Sequence, residues 1–213
     1  MQPARRGVRC GAIDRTLRGR VVPTAGRLLY CHPPMAIITC IVGSPSSPSR
    51  TAFVARFVAD YLARAGNVVE TISVRDLPAE DLLRARVDSP AIAAAIAAVA
   101  QAEGLVVATP IYKASFAGML KTFIDLLPQF AFRDKAVLPI ATGGASSHIL
   151  ALDYGLRPVL MSLDAAHVAP SYVVLEQGVR APTGGGAGYE LTDEMAAKLT
   201  EVAERFARFL ARV

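Results

Sequence analysis

The sequence is poor in the residues that staple or metallate a fold. Its three cysteines, Cys10, Cys31 and Cys40, show no paired spacing, and its three histidines, His32, His148 and His167, lie far apart. Neither a disulfide framework nor a Cys/His metal cluster can be read from them. Cys40 falls inside the apolar run "IITCIV" and reads as a small buried hydrophobe. A membrane-length apolar run is also missing. The longest uncharged one, "SPAIAAAIAAVAQA" over 89–102, is too short to span a bilayer. Its Ile92, Ile96 and Val99 recur at helical spacing, which predicts a buried amphipathic helix. Neither G-x-G-x-x-G nor G-K-[ST] occurs, so the dinucleotide fingerprint and the Walker loop are both excluded. No internal repeat or second domain is visible.

Surplus positive charge is confined to one end. Residues 1–34 hold seven arginines, no lysine and one aspartate, so the net +5 falls to −1 once this leader's +6 is removed. Nothing in the remainder suggests a nucleic-acid surface. The leader lacks periodicity and an apolar h-region, so it is not a secretory signal. A strand-like run, "MAIITCIVG", begins at once at Met35. We therefore expect 1–34 to be a disordered or non-native leader, with an organellar transit peptide as the alternative, and 35–213 to form one cytoplasmic domain. A chain of 213 residues buries roughly 70% of its unfolded surface and needs no staples.

From Met35 onward, strand and helix signals alternate. Predicted strands cover 36–43, 68–74, 104–110, 135–144 and 166–175. Helical faces fall between them, including one over 116–127 marked by Phe116, Leu120, Phe123, Ile124 and Leu127. A further helix through "HILALDYGLRPVLMSL" is interrupted by Pro158, which predicts a kink or local bulge. "RAPTGGGAG" over 180–188 is expected to be a mobile loop. Five βα units predict an α/β, flavodoxin-like three-layer sandwich with a five-stranded parallel sheet in the order 2-1-3-4-5. Ligands then belong beyond the carboxyl ends of strands one, three and four.

Those three ends share a character. Strand one runs into "GSPSSPSRT", which offers Ser44, Ser46, Ser49, Arg50 and Thr51 just before a helix. Hydroxyls, one guanidinium and the free amides of a helix N-terminus suit a monophosphate. Taken alone, the segment reads equally well as an ordinary Ser/Pro cap. Strand three ends in "TPIYK" (Pro110, Ile111, Tyr112, Lys113) and strand four in Thr142, Gly143 and Gly144. Apart from Tyr112, these turns are short in large side chains, so a planar ring could lie there with backbone amides at its polar edge. Together the three ends suit FMN. His148 reads first as a capping or packing residue and second as a ligand contact. Glu80 and Asp81 read as a solvated pair, and Lys121 equally as a contact or a solvated side chain. No acid–base dyad is visible.

In order along the chain, "GSPSSPSRT", "DLLRARVDSPA", "EGLVVATPIYKASFAGMLKTFIDLLP" and "VLPIATGGASSHILALDYGLRPVL" resemble the NADPH-dependent FMN reductase family, in the branch paired with alkanesulfonate monooxygenases. The resemblance spans about 36–175. It implies two-electron reduction of FMN by NADPH or NADH, a homodimer or homotetramer, and delivery of reduced flavin to a flavin-dependent monooxygenase that desulfonates sulfonates. Two departures stand out. Ser46 takes the place of an arginine in the family's G-S-x-R pattern, which would weaken FMN binding and suit a flavin used as substrate. Phe116 stands where the resemblance implies a tyrosine linked to a π-type bulge, so a helix irregularity is expected there, near the flavin or a subunit interface. Two alternatives remain: a quinone or azo-dye reductase with tightly held FMN, and a flavodoxin-like electron carrier, against which the near-neutral core argues.

Overall fold

The structure is a computed structural model that describes residues 35–181 and 188–210. The leader and most of the Gly-rich loop lie outside the described residues. β1 (Ile37–Val42) is followed by α1 (Arg50–Arg64), β2 (Val68–Ser73), α2 (Ala79–Leu83), α3 (Pro90–Gln101) and β3 (Gly104–Tyr112). Next come β4 (Ser115–Phe116), α4 (Gly118–Ile124), β5 (Ala136–Gly143), and a π-helix (Ala151–Leu156) continuing into α5 (Arg157–Ser162). The chain closes with β6 (His167–Val168), β7 (Tyr172–Leu175), β8 (Val179–Arg180), β9 (Glu190–Leu191) and α6 (Asp193–Leu210).

β2, β1, β3 and β5 lie side by side in parallel, and β6 and β7 both pair with β5. This is the expected flavodoxin-like order, with the fifth strand in two pieces. Successive side chains on a strand point to opposite faces, and both faces are covered. Leu105 and Val107 of β3 join Ile92 and Val99 of α3 and Leu120 and Phe123 of α4 in one core. Val106 and Ala108 join Val54, Val58 and Leu62 of α1 and Leu199 and Phe206 of α6 in the other. Burial on both faces is why these strands read as unbroken apolar runs. The Ala-rich segment is α3, with Ile92 and Val99 buried and Ile96 half-buried, as its spacing predicts.

Three local expectations are corrected. The strand over 166–175 breaks between Val168 and Tyr172. Pro170 has no N–H to give a ladder, and the side chain of Arg157 reaches into the gap, donating to the carbonyls of Val168 and Ala169 at 3.0 Å each. The helix expected over 116–127 starts only at Gly118, and Phe116 sits before it, in β4. The helix irregularity is elsewhere. It is the π-helix at Ala151–Leu156, which ends two residues before Pro158 and contains the exposed Tyr154. Phe116 meets that π-helix from outside: a Cβ added to Gly155 would lie 3.7 Å from the Phe116 ring. Asp153 ties the π-helix to the strand break, accepting from Ser171 Oγ at 2.7 Å and from Arg157 Nη2 at 3.2 Å.

Candidate active site at three strand ends

β1, β3 and β5 end on the same edge of the sheet, and hydroxyl pairs join their loops. After β1, Gly43 extends the ladder by donating its N–H to the Ala108 carbonyl at 2.8 Å. A Cβ on Gly43 would fall 2.4 Å from Leu120 Cβ, so glycine lets this turn lie against α4. Ser49 caps α1, accepting from Ala52 N at 3.1 Å, and donates to Ser44 Oγ at 2.7 Å. Both serines are buried. They shape the loop, whereas Ser46 and Ser47 stand exposed at its crest.

Ser46 Oγ lies 3.3 Å from Tyr112 Oη, which links the first loop to the third strand. Thr51 Oγ1 lies 2.6 Å from Thr142 Oγ1, which links α1 to the end of β5. The first two amides of α1, on Arg50 and Thr51, have no carbonyl within the helix to bond, as at any helix start. Arg50 itself turns elsewhere: Nη1 is 4.0 Å from the Glu176 carboxylate, and its guanidinium lies 5.7 Å from the Tyr189 ring centroid.

The third strand does not stop at the Thr-Pro. It runs through Pro110 and Ile111 to Tyr112 and folds back through Lys113 and Ala114, and β4 pairs Ile111 with Phe116 and Tyr112 with Ser115. Lys113 at φ 50° and Ala114 at φ 60° are both left-handed. Two consecutive positive φ values make the tight turn that matches strand twist, a place usually held by Asn or Gly. Each such non-glycine residue costs on the order of 1 kcal/mol, and strain of this kind gathers at functional sites. Thr109 steadies the base of the hairpin by accepting from Ala117 N at 2.9 Å. Tyr112 is left 47% exposed, a flat aromatic surface at the mouth of the site.

At the end of β5, Gly143 is buried against His148: a Cβ there would fall 2.4 Å from His148 Nδ1. That nitrogen is buried and has no hydrogen-bond partner among the described residues. Gly144 faces open space, with nothing within 4 Å of its Cβ position. The surface therefore combines uncrowded glycine backbone, an exposed tyrosine ring, exposed serine hydroxyls and helix-start amides. These features fit a flavin mononucleotide.

One contributor escaped the sequence reading. Arg75, in the 3₁₀ turn after β2, donates from Nη1 to the Ser46 carbonyl. The signal was available, because the order 2-1-3 places the end of β2 beside the end of β1. No group of three or more His, Cys, Asp or Glu capable of holding a metal ion occurs among the described residues. No described helix is long and apolar enough to cross a membrane.

Comparison with known proteins places this geometry in context. The chain is 53% identical over 129 residues to an FMN reductase (NADPH) of Pseudomonas putida, covering 61% of this chain and 66% of that protein, just under two thirds. It is 45% identical over 134 residues to an FMN reductase (NADPH) of Escherichia coli, covering 63% and 70%. Among solved structures, the apo form of an NADH:FMN oxidoreductase superposes with a TM-score of 0.72 at 42% identity, covering 81% of this chain and 88% of the other. Residues 37–180, from β1 to β8, match the family described as NADPH-dependent FMN reductase. The strand ends described above all fall inside that span, and the chain belongs to this family of flavin oxidoreductases.

Proposed function

We propose that residues 35–213 reduce FMN with NADPH or NADH at the ends of β1, β3 and β5. The reduced flavin is then released to a flavin-dependent monooxygenase acting on sulfonates. The observation that carries the site is the pair of cross-loop contacts, Ser46 with Tyr112 and Thr51 with Thr142, which bring segments distant in sequence to one surface. Bound FMN would supply the two-electron chemistry. The protein's part is placement. Ser46, Ser47 and the first amides of α1 hold the phosphate, while Ser44, Ser49, Thr51 and Thr142 set the loop shape. Arg50 adds charge from behind. Pro110, Ile111, Tyr112 and Lys113 border one edge of the isoalloxazine, and Gly143 and Gly144 give backbone donors at another. Holding two flat rings in register supplies catalysis through orientation, which asks for no acid–base pair.

Relatives are named for NADPH and for NADH alike, so either nucleotide fits the reading. Dependence on that pool of reductant supports a cytoplasmic setting. The exposed side chains of Leu150 just before the π-helix, Tyr154 within it and Met161 of α5 support assembly as a homodimer or homotetramer. The monooxygenase partner rests on the sulfonate-branch resemblance of the 104–128 and 137–160 segments.

The deciding experiment is an NADPH-oxidation assay on purified protein titrated with free FMN. Saturable dependence on added FMN is expected, together with colourless or weakly yellow protein as isolated. A flavin that co-purifies, never exchanges and turns over quinones instead would refute the release of reduced flavin. No oxidation with any flavin would refute the reductase itself.

A further inference from the structure

We infer that Arg75 supplies the cation that recognises the FMN phosphate, and so sets the preference of this enzyme for FMN over unphosphorylated flavin. The inference rests on the flavin reading above and names a specificity residue within it.

The first loop carries a single cation in its own sequence, Arg50, over 43–51. Arg50 is turned toward Glu176 and the Tyr189 ring, on the β7 side of the sheet. Its Nε is buried and has no partner among the described residues. It is poorly placed to meet an anion at the loop crest.

Arg75 comes from the other side. It leaves the turn after β2, and Nη1 donates to the carbonyl of Ser46, the residue whose hydroxyl is exposed at the crest. Its Nε lies 3.4 Å from Asp76 Oδ1, with side-chain exposures of 27% for Arg75 and 68% for Asp76. A guanidinium has five N–H donors in a planar fork. Two engaged donors leave the rest of the fork available at the loop whose Ser46 and Ser47 stand exposed. The Asp76 pair is solvated on one side and weak, so a phosphate dianion, which Arg binds in a two-pronged, charge-assisted mode, competes with it effectively.

Arg75 also tethers the loop through the Ser46 carbonyl, so the test must separate charge from tether. Arg75→Gln keeps an N–H donor for that carbonyl and removes the charge. Arg75→Lys keeps the charge and loses the fork. Equilibrium binding is read from flavin fluorescence, with FMN and with riboflavin as paired probes, at low and high salt. Arg75→Gln is expected to weaken FMN roughly tenfold or more, the usual loss for a hydrogen bond to a charged group, while riboflavin stays within about twofold of wild type. The FMN loss should shrink in high salt, as screening predicts. Arg75→Lys should fall between. Arg84→Gln, the same charge change on an exposed side chain paired with Glu80, should alter neither probe.

Equal weakening of FMN and riboflavin by Arg75→Gln would reduce Arg75 to a loop tether and overturn the inference. An unchanged FMN affinity would overturn it as well. If Arg75→Gln is unstable, an Arg75→Lys variant that discriminates FMN from riboflavin as wild type does would overturn the requirement for the guanidinium fork. Wild-type protein that binds neither flavin would overturn the flavin reading as a whole, a result distinct from the other three.

Discussion

Replacing Thr142 with valine should cost more stability than so conservative a change in shape suggests, and replacing Thr51 at the same time should restore most of it. The two hydroxyls lie 2.6 Å apart. Thr51 is 2% exposed and Thr142 7%, so water cannot substitute for either partner. Valine matches the shape of threonine and opens no cavity, so the cost comes from the partner left behind. A buried hydroxyl without a hydrogen bond costs about 1–3 kcal/mol, whereas replacing both partners by apolar groups of the same shape is close to neutral. Thr51→Val and Thr142→Val should therefore each destabilise by about 1–3 kcal/mol, with the double variant within about 1 kcal/mol of wild type.

Urea unfolding followed by far-UV circular dichroism measures this directly. With m on the order of 2 kcal/mol/M for a domain of this class, each single variant should move the midpoint by about 1 M, and the double variant by less than about half of that. Unchanged m values are required, because a changed slope would mean an altered denatured state. If the two single effects simply add in the double variant, the hydroxyls are not each other's partner, and α1 is not tied to the end of β5 by this bond.

Other substitutions probe the same edge of the sheet. Gly43→Ala places a methyl group 2.4 Å from Leu120 Cβ and 3.0 Å from its Cα, so α4 must move; a loss of about 1–3 kcal/mol is expected in thermal unfolding. Gly144→Ala meets nothing within 4 Å, so its melting temperature should stay near wild type, and on the proposed placement of the isoalloxazine FMN titration should show weaker binding, because the methyl group would occupy the surface assigned to the ring. Ala114→Gly relieves a residue held at φ 60° and should stabilise by up to about 1 kcal/mol, the left-handed penalty less the extra flexibility of glycine in the unfolded chain. The Cys40 thiol is pushed up to about 12 by burial. Its folded pKa lies above the unfolded value, so its contribution to stability is fully present below about pH 9 and is lost as pH rises toward 12. In a Cys10→Ser, Cys31→Ser background, a thiol reagent at pH 8 should label Cys40 only after unfolding, and fast labelling of the native protein would place Cys40 outside the core.

The sheet was legible in the sequence because burial on both faces leaves a plain signature. "AIITCIVG" and "GLVVATP" carry no charge and only one hydroxyl each, Thr39 and Thr109, for the same physical reason that Val106 and Val107 are buried in opposite layers. The order of the strands followed from the βα alternation, and that order brings the loops after β1, β3 and β5 to one edge of the sheet. Short elements stabilised by partners far along the chain were not legible. The strand over 166–175 looks continuous until Arg157 takes up the carbonyls of Val168 and Ala169. Phe116 fits the helical spacing of Leu120, Phe123 and Leu127, yet the turn at Lys113 and Ala114 draws it into a hairpin and sets its ring on the π-helix at Gly155. A left-handed Lys-Ala turn has no Asn-Gly marker, so local pattern could not announce it. The π-helix was half visible: Pro158 signalled a fault in that helix but not its kind.

The contacts that make the site a site are of the same hidden type. Ser46 and Tyr112 are 66 positions apart, and Thr51 and Thr142 are 91 apart. Neither pair follows from spacing. The backbone order brings the strand ends together, and only then do small polar side chains find partners across the loops. Arg75 extends the argument to charge. The sequence marks Arg50 as the cation of the first loop because it is adjacent, whereas the sheet order brings Arg75, just after the next strand, to the Ser46 carbonyl, with Arg50 4.0 Å from Glu176. In a parallel sheet, the neighbour that matters at a strand end is set by strand order, so the charge of a phosphate loop should be sought at the ends of both flanking strands before a missing arginine within the loop is read as a loss.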